Sequence, residues 1–497
     1  MTMNSRDQRR SWICCVIATV VIGWAVFAFG SPQDIIKEGD VIITEDDILF
    51  EADEVFPVRT MAAWATGIGA LLCLFLLPGR RSLRNFPVIL GIAAGVLLLF
   101  GWFMVANASH DHDSETWQFV RLEGQLFSWA PGSIVRSRSI GVMIELTLVL
   151  LALLAAVRAS EGSAWRGLFA LLALLGAAVA LLGLFHKAAA APTVYWIEDV
   201  SQPAQTFFAP YVYNANAGAF MNLCLPLAMG LALSGVGVER KRAAGIVWSL
   251  VAAIIIAGIV VAASKGAIIV LLLTLPIILV WNHRRLRFLI DGFFVQRGRK
   301  MERLLIMGAL AVLILSFVAI GISFVIVRWN EFFGRFEDPS RTDLTGRYEI
   351  IKLMIRMSGW EEGSWHGFGP GTFRHLVPYF NTEVGTEIDG VWLHGHCDPL
   401  QTTVEWGWLG AAAWLVIGGG AVVSGLLLLR TKGLLASADV PLVRGAVVAL
   451  AMVGLHSVQD FPLSIYSIHL SAMLLCGVCW GLHASRRREA RKRKANS

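Results

Sequence analysis

One stretch of this sequence gathers the residue types that phosphate and acid–base chemistry need. It holds Gly346-Arg347, then His366-Gly367-Phe368-Gly369-Pro370-Gly371-Thr372-Phe373. After these come His394-Gly395-His396-Cys397-Asp398-Pro399-Leu400-Gln401, with Glu405, Gly407 and Gly410 following. Arginine presents a planar fork of N–H donors that matches phosphate oxygens. Histidine titrates near neutral pH and can take the proton of a hydroxyl. Held together beside a lipid surface, the two suit transfer of a group away from a lipid diphosphate. Arg347 would neutralise the departing diphosphate while His396 activates the group that receives the transfer. The same residues also read as solvated loop charges, and spacing alone leaves both readings open. His394, two positions before His396, is a second candidate base. Gln401 and Glu405, four apart, would share one helix face with Asp398, either lining a site or ordering the loop.

These residues must be positioned by membrane helices. The chain has 497 residues, 56% of them hydrophobic and 16% charged, with a mean hydropathy of +0.64. A soluble domain of that size needs more charge to cover its surface. The apolar residues fall in blocks of about twenty, long enough to cross about 30 Å of hydrocarbon as helices. The alternating segments of a membrane β-barrel are absent. An all-α integral membrane fold of about 12 transmembrane helices follows. The spans are expected near 12–30, 60–78, 88–106, 139–157, 166–186, 216–236, 244–263, 266–282, 304–327, 407–430, 445–460 and 464–483.

Basic residues orient those spans. They collect at Arg6, Arg9 and Arg10, at Arg80, Arg81 and Arg84, and at Arg240, Lys241 and Arg242. Others lie between Arg284 and Arg303 and from Arg486 to Lys494. With twelve spans, all of these fall on one side, which makes both termini cytoplasmic. The loops at 31–59, 107–138, 187–215 and 329–405 then face outward, and the first of them holds nine acids against Lys37 and Arg59. The net charge of +6 is mostly this inner basic collar, an orientation signal with no call for nucleic acid. Ala28-Phe29-Gly30 spaces small residues as a signal cleavage site would, but the first span is long for a signal peptide and is read as retained.

The chain therefore divides into N-terminal transmembrane helices (1–210, with the acidic outer loop 31–59), central transmembrane helices (211–328), the large outer loop (329–405), C-terminal transmembrane helices (406–485) and a basic tail (486–497). A loop as long as 329–405 is usually functional or a folded cap. Within it, apolar residues at 350, 351, 353, 354 and 355 mark an amphipathic helix, with Thr345 as its cap and Arg347 in its first turn. The glycine-rich 366–373 segment reads as a tight bend. Asp460 lies close to a membrane interface, where an ionisable residue is costly and often paired, with a loop arginine as the expected partner. Cys14, Cys15, Cys73, Cys224, Cys476 and Cys479 lie in apolar stretches as small hydrophobes, and Cys397 has no obvious partner in its loop. His110-Asp111-His112-Asp113 has metal-ligand types, but consecutive residues seldom face one ion, so no metal site is assigned. Most of the eighteen Trp suit the interfacial belt, and Trp360, Trp365 or Trp392 could stack on a sugar.

Taken in order, these segments resemble the O-antigen ligase and O-antigen polymerase family of bacterial envelope glycosyltransferases. Members show a Gly-Arg near the start of a large periplasmic loop, a G-x-G-x-x-x-F bend, and then H-N-x-x-L-Q-x-x-x-E-x-G-x-x-G. Gly346-Arg347, Gly367 to Phe373 and His396 to Gly410 follow that order, with Cys397 and Pro399 departing from it. Tyr213-Asn214-Ala215-Asn216-Ala217 resembles the family's N-x-N segment, and His456 to Phe461 its H-x-x-x-D-F segment. The resemblance covers roughly residues 210–480.

The resemblance implies a GT-C-like, metal-independent transferase of the bacterial inner membrane that needs no cofactor. The donor would be an undecaprenyl-diphosphate-linked glycan, the acceptor an envelope glycolipid such as lipid A–core, and the linkage would be inverted. Carried over by position, Arg347 grips the donor diphosphate and His396 activates the acceptor hydroxyl. Lys265, in Ser264-Lys265-Gly266-Ala267, stands where the family has the arginine of an S-R-G turn. It keeps the charge without the fork, or else snorkels to the interface. His394, Asp398, Gln401, Glu405, Asn216 and Asp460 are the supporting residues. A polymerase that extends the glycan on its carrier shares these motifs. A transporter would show charged or broken helices at mid-membrane, a pattern these nearly charge-free spans lack.

Overall fold

A computed structural model describes residues 5–29, 45–77, 87–113, 116, 118–192, 194–196, 207–235, 242–287, 344–359, 365–384 and 392–496. The span expected at 304–327, the basic positions 297–303, Arg80, Arg81, Arg84, Arg240, Lys241, Trp360 and the acidic positions 34–40 lie outside the described residues.

The apolar blocks form helices because a backbone in lipid must satisfy its own hydrogen bonds. They are α1 (Ser5–Phe29), α2 (Glu45–Leu76), α3 (Val88–Ala106), α4 (Arg136–Ala159), α5 (Ala164–Ala188), α6 (Asn214–Ser234), α7 (Arg242–Ala262) and α8 (Lys265–Trp281). After the large loop's own helices, α9 (Leu344–Ser358) and α10 (Phe373–Val384), come α11 (Asp398–Arg430), α12 (Val440–His456) and α13 (Tyr466–Ala495). Among the described residues, eight helices are long and apolar enough to cross a membrane, and Trp12–Phe27, Lys265–Trp281 and Val440–His456 are shorter apolar ones. The protein is a mostly helical, multi-pass membrane protein.

α6 is its hub. Its span is 83% buried inside the protein, against 33% for α3, so α6 is central and α3 peripheral. It packs on α12, α7, α5 and α8. Its crossing with α12 is backbone to backbone. A Cβ on Gly445 would stand 2.4 Å from the carbonyl oxygen of Pro226, and one on Gly230 2.8 Å from that of Pro441. Small residues permit such approach where lipid supplies no hydrophobic drive between helices. α13 lies against α4 and α11, and α2 against α4 and α1.

The outer segment is a folded cap with its own core. Ile350, Leu353, Met354 and Met357 of the amphipathic α9 bury against Phe373, Leu376 and Phe380 of α10, with Trp392 and Val404. Because α9 starts at Leu344, Thr345 lies within its first turn and not before it. The 107–138 loop contains an antiparallel hairpin, β1 (His110–Asp113) and β2 (Gln118–Arg121). Strand alternation turns Asp111 away from the two histidines. Its Oδ1 accepts from the Ser137 hydroxyl at 2.7 Å, while the His112 ring packs 4.5 Å from that of His375.

The span expected from 407 is part of a longer helix. α11 begins at Asp398 and is interrupted at Gly407, with φ 62° and ψ −175°. That conformation is open essentially to glycine alone. A Cβ there would lie 2.3 Å from the Trp365 carbonyl oxygen and 2.4 Å from the His366 nitrogen. The glycine-rich bend thus presses on the break, and the first turns of α11 belong to the cap.

Candidate active site

His396 stands just before α11 in a left-handed conformation, φ 49°, and is almost fully buried. The ring meets Trp392 and Phe461 edge-on, at centroid distances of 5.5 Å and 4.7 Å. Its Nδ1 lies 3.1 Å from Oδ1 of Asp460, an oxygen that also accepts from the Phe461 N–H at 3.1 Å. The arginine expected as the direct partner of Asp460 is therefore replaced by a histidine.

Arg347 still reaches that carboxylate through a third residue. Its Nη2 donates to the Tyr213 hydroxyl at 2.8 Å, and the hydroxyl donates to Asp460 Oδ2 at 3.5 Å. Burial raises the Asp460 carboxyl. The His396 hydrogen bond and the positive charge of His396 and Arg347 outweigh that, holding it below the usual carboxylate range. Asp460 is thus anionic at neutral pH, able to fix the imidazole's tautomer and to stabilise its protonated form.

Lys265 is the first residue of α8, whose N-cap Ser264 accepts from the Ala267 N–H. A Cβ on Gly266 would stand 3.1 Å from Gln459 Nε2 and 3.2 Å from His456 Nε2. The N-terminus of α8, with its partial positive charge, therefore packs against the turn that leads into Asp460. Buried Asn216 lies in the first turn of α6, and its N–H donates to the Tyr213 carbonyl at 3.1 Å. Asn214 and Asn222 on the same helix donate to the carbonyls of Ala262 and Ala267, each at 2.8 Å. These bonds tie α6, and with it Tyr213, to the α7–α8 bend.

His394 does not reach Asp460. Its ring stacks on Phe461 at 4.4 Å, and neither ring nitrogen has a hydrogen-bond partner among the described residues. Burial, and then the charges of Arg374, Arg59, His396 and Arg138, push it well below the ordinary histidine range. It is neutral, packed as an aromatic.

The other three expected residues organise the surrounding chain. Asp398 accepts from the Leu463 N–H and the Ser464 hydroxyl, both at 2.8 Å, which fastens the turn after Asp460. Gln401 accepts from the Gly395 N–H at 2.9 Å and donates to Glu405 Oε1 at 3.1 Å. Glu405 Oε2 in turn accepts from the Gly371 N–H at 3.0 Å. One hydrogen-bonded run thus joins the glycine bend, the outer turns of α11 and the backbone beside His396. Asp398, Gln401 and Glu405 line one cavity, Gln401 and Glu405 bonded to each other and Asp398 to 463–464.

Two participants were missed from sequence. Tyr213 bridges Arg347 to Asp460, and Phe461 is the platform on which Tyr213 and His394 both stack. Both sat inside the quoted motifs, but an aromatic at a span end reads as interfacial belt, so residue type gave no separate signal.

No curated protein matches the chain. A family model described as O-antigen ligase matches residues 250–415, a stretch that contains Lys265, Arg347, His394, His396, Asp398, Gln401 and Glu405, with Asn216 and Asp460 outside it. The motif order and this match agree: over residues 250–415 the chain is similar to the O-antigen ligase family.

Proposed function

We propose that this protein is a glycosyltransferase of the ligase type, moving a glycan from undecaprenyl diphosphate to an envelope glycolipid, lipid A–core or similar. It would act on the periplasmic face of the bacterial inner membrane. The reading includes twelve spans in a GT-C-like arrangement, both termini in the cytoplasm, and 329–405 as the catalytic segment. The observation that carries it is the run of half-buried Arg347 and Tyr213 to buried Asp460 and His396 inside a membrane protein whose residues 250–415 match an O-antigen ligase family model.

In this reading His396, with Nδ1 held by Asp460, takes the proton of the acceptor hydroxyl at Nε2. The oxygen attacks the anomeric carbon as the bond from that carbon to the diphosphate oxygen breaks, so the linkage inverts. Undecaprenyl diphosphate leaves with both electrons of that bond, its charge met by Arg347 and Lys265. The proton on His396 then passes to solvent or to the departing diphosphate.

The test replaces His396 with Ala in the native host and profiles lipid-linked and surface glycans. Full-length glycan accumulating on the carrier supports the ligase. Accumulated single repeat units would instead make the enzyme a polymerase. Unchanged glycans at normal protein level would remove the catalytic assignment.

A further inference from the structure

At the end of the helices away from His396, the termini of α8 and α12 frame an open cleft of about 850 Å³. The two helices run antiparallel. Gly266, at the start of α8, packs against His456 and Gln459 beside the catalytic turn. Arg444, in the first turns of α12, donates to the Trp281 carbonyl at the far end of α8. From Gly266 to Trp281 is about 22 Å of helix, so the cleft stands apart from the chemistry proposed for His396. Its lining divides by character. Arg284, Arg285 and Arg444 make a basic rim with Ser437, and Ile277 and Val280 form an apolar wall. Trp281 stands between them, its ring centre 5.6 Å from the Arg444 guanidinium carbon. Ile277 and Val280 are exposed, and an exposed side chain on an apolar membrane helix meets lipid.

No carboxylate lines the cleft among the described residues. Asp439, the acid closest to Ser437 in the chain, is held by Arg166 through bonds of 2.8 Å and 2.7 Å. The arginines of the rim meet neutral acceptors instead. Arg285 donates to the Leu233 carbonyl at 2.9 Å and to the carbonyl and hydroxyl of Ser437. Arg444 donates to the Trp281 carbonyl and, at 3.0 Å, to Asn282 Oδ1, and its buried Nε has no partner among the described residues. Arg284 is exposed and makes no hydrogen bond or ion pair with a described residue. Leu233 and Trp281 lie in the last turns of α6 and α8. A helix C-terminus carries roughly half a negative charge, so two of them leave roughly two of the three guanidinium charges unmet. The chain that continues from the cleft does not restore the balance: 288–303 holds Asp291 and Glu302 against Arg297, Arg299, Lys300 and Arg303.

We infer that this cleft seats an anionic phospholipid, its phosphate among Arg284, Arg285 and Arg444 and an acyl chain against Ile277 and Val280. Phosphate oxygens suit the guanidinium forks, and the Ser437 hydroxyl is a further donor. Trp281 stands where indoles meet headgroups. On the orientation proposed above, this end lies in the cytoplasmic leaflet, whose surface is negative, and basic pockets between spans hold anionic headgroups there. Free inorganic phosphate shares the headgroup's chemistry but has nothing to lay along the apolar wall. Binding here does not depend on the transfer reaction, so the two readings fail separately.

The experiment takes the full chain, delipidated in neutral detergent. It titrates in phosphatidylglycerol, phosphatidylcholine with the same acyl chains, or inorganic phosphate, and reads bound ligand by native mass spectrometry and melting temperature. Phosphatidylglycerol should bind and raise the melting temperature, as a ligand of the folded state does, and phosphatidylcholine should do neither. Arg284→Gln, which breaks no bond to a described residue, should weaken binding about fivefold, the worth of one basic residue at an anionic surface. Arg444→Gln should weaken it about tenfold or more, but it also uncaps α8, so Arg284→Gln is the decisive variant. Lys432→Gln removes an equal charge from the exposed loop between α11 and α12 and should leave binding unchanged. Equal binding of phosphatidylcholine, wild-type binding by Arg284→Gln, or an equal loss in Lys432→Gln overturns the site. Inorganic phosphate that binds as tightly as the lipid overturns the lipid as its occupant.

Discussion

His396 and Asp460, 64 residues apart in the chain, meet at 3.1 Å in a buried pocket. The contact joins the end of the outer cap to the turn between α12 and α13. It gives the histidine a fixed orientation and an anionic neighbour for the charge it would acquire. Asp460→Asn keeps the shape and removes the charge. Asp460 acts here as a positioning residue, so kcat should fall by about 10²-fold, the lower part of the range for general base catalysis, with donor KM little changed. Asp460→Glu should recover part of the rate. Steady-state kinetics on protein of verified fold checks this, and a rise in KM alone would point to a binding role.

Tyr213→Phe removes only the hydroxyl between Arg347 and Asp460. Hydrogen bonds to charged groups contribute about 1.5–3 kcal/mol, so the orientation of Arg347 should loosen and donor KM rise about tenfold or more. Titrating the lipid-linked donor distinguishes this from the kcat effect expected at Asp460.

Acid should destabilise the fold through His394. Its folded-state pKa lies well below 6.5 because of burial and neighbouring arginines. Below that pH the unfolded chain binds a proton that the folded chain refuses, so stability falls as pH falls. At pH 5.5 the loss from this residue is on the order of 1 kcal/mol. Asp460, also depressed, adds to the loss only below its unfolded value of 3.8. His394→Phe should keep the stack on Phe461 and flatten thermal stability between pH 7.5 and 5.5. An unchanged slope would show that other groups dominate.

Gly407→Ala should be among the most damaging single changes outside the site. The backbone conformation alone costs a non-glycine residue about 1–3 kcal/mol. The added carbon would also sit 2.3 Å from the Trp365 oxygen. A lower melting temperature in detergent, together with lost activity, is expected. A fully stable alanine variant would mean that the break in α11 is dispensable.

The apolar blocks made the helices legible, because lipid leaves a spanning backbone few alternatives. Arg347 and His396 were legible because few residue types suit their chemistry. The partner of Asp460 was not. It depends on α6, α9 and the α12–α13 turn being neighbours in space, and periodicity within a segment says nothing about neighbours. Tyr213 lies 134 residues from Arg347, so no local pattern links them. The arginines around His394 left a fainter trace. Arg59 and Arg138 stand at the expected outward ends of spans, against the usual bias of basic residues toward the cytoplasm, and such exceptions call for a reason of their own.

The central claim is that His396 drives transfer from a lipid-linked diphosphate. Its most direct test is glycan transfer by the purified full chain in lipid vesicles, supplied with undecaprenyl-diphosphate-linked glycan and the host's envelope glycolipid. Wild-type protein should release one undecaprenyl diphosphate per glycan joined, with the anomeric linkage inverted, and His396→Ala should be slower by about 10²–10⁴-fold. Transfer by His396→Ala at the wild-type rate would contradict the account.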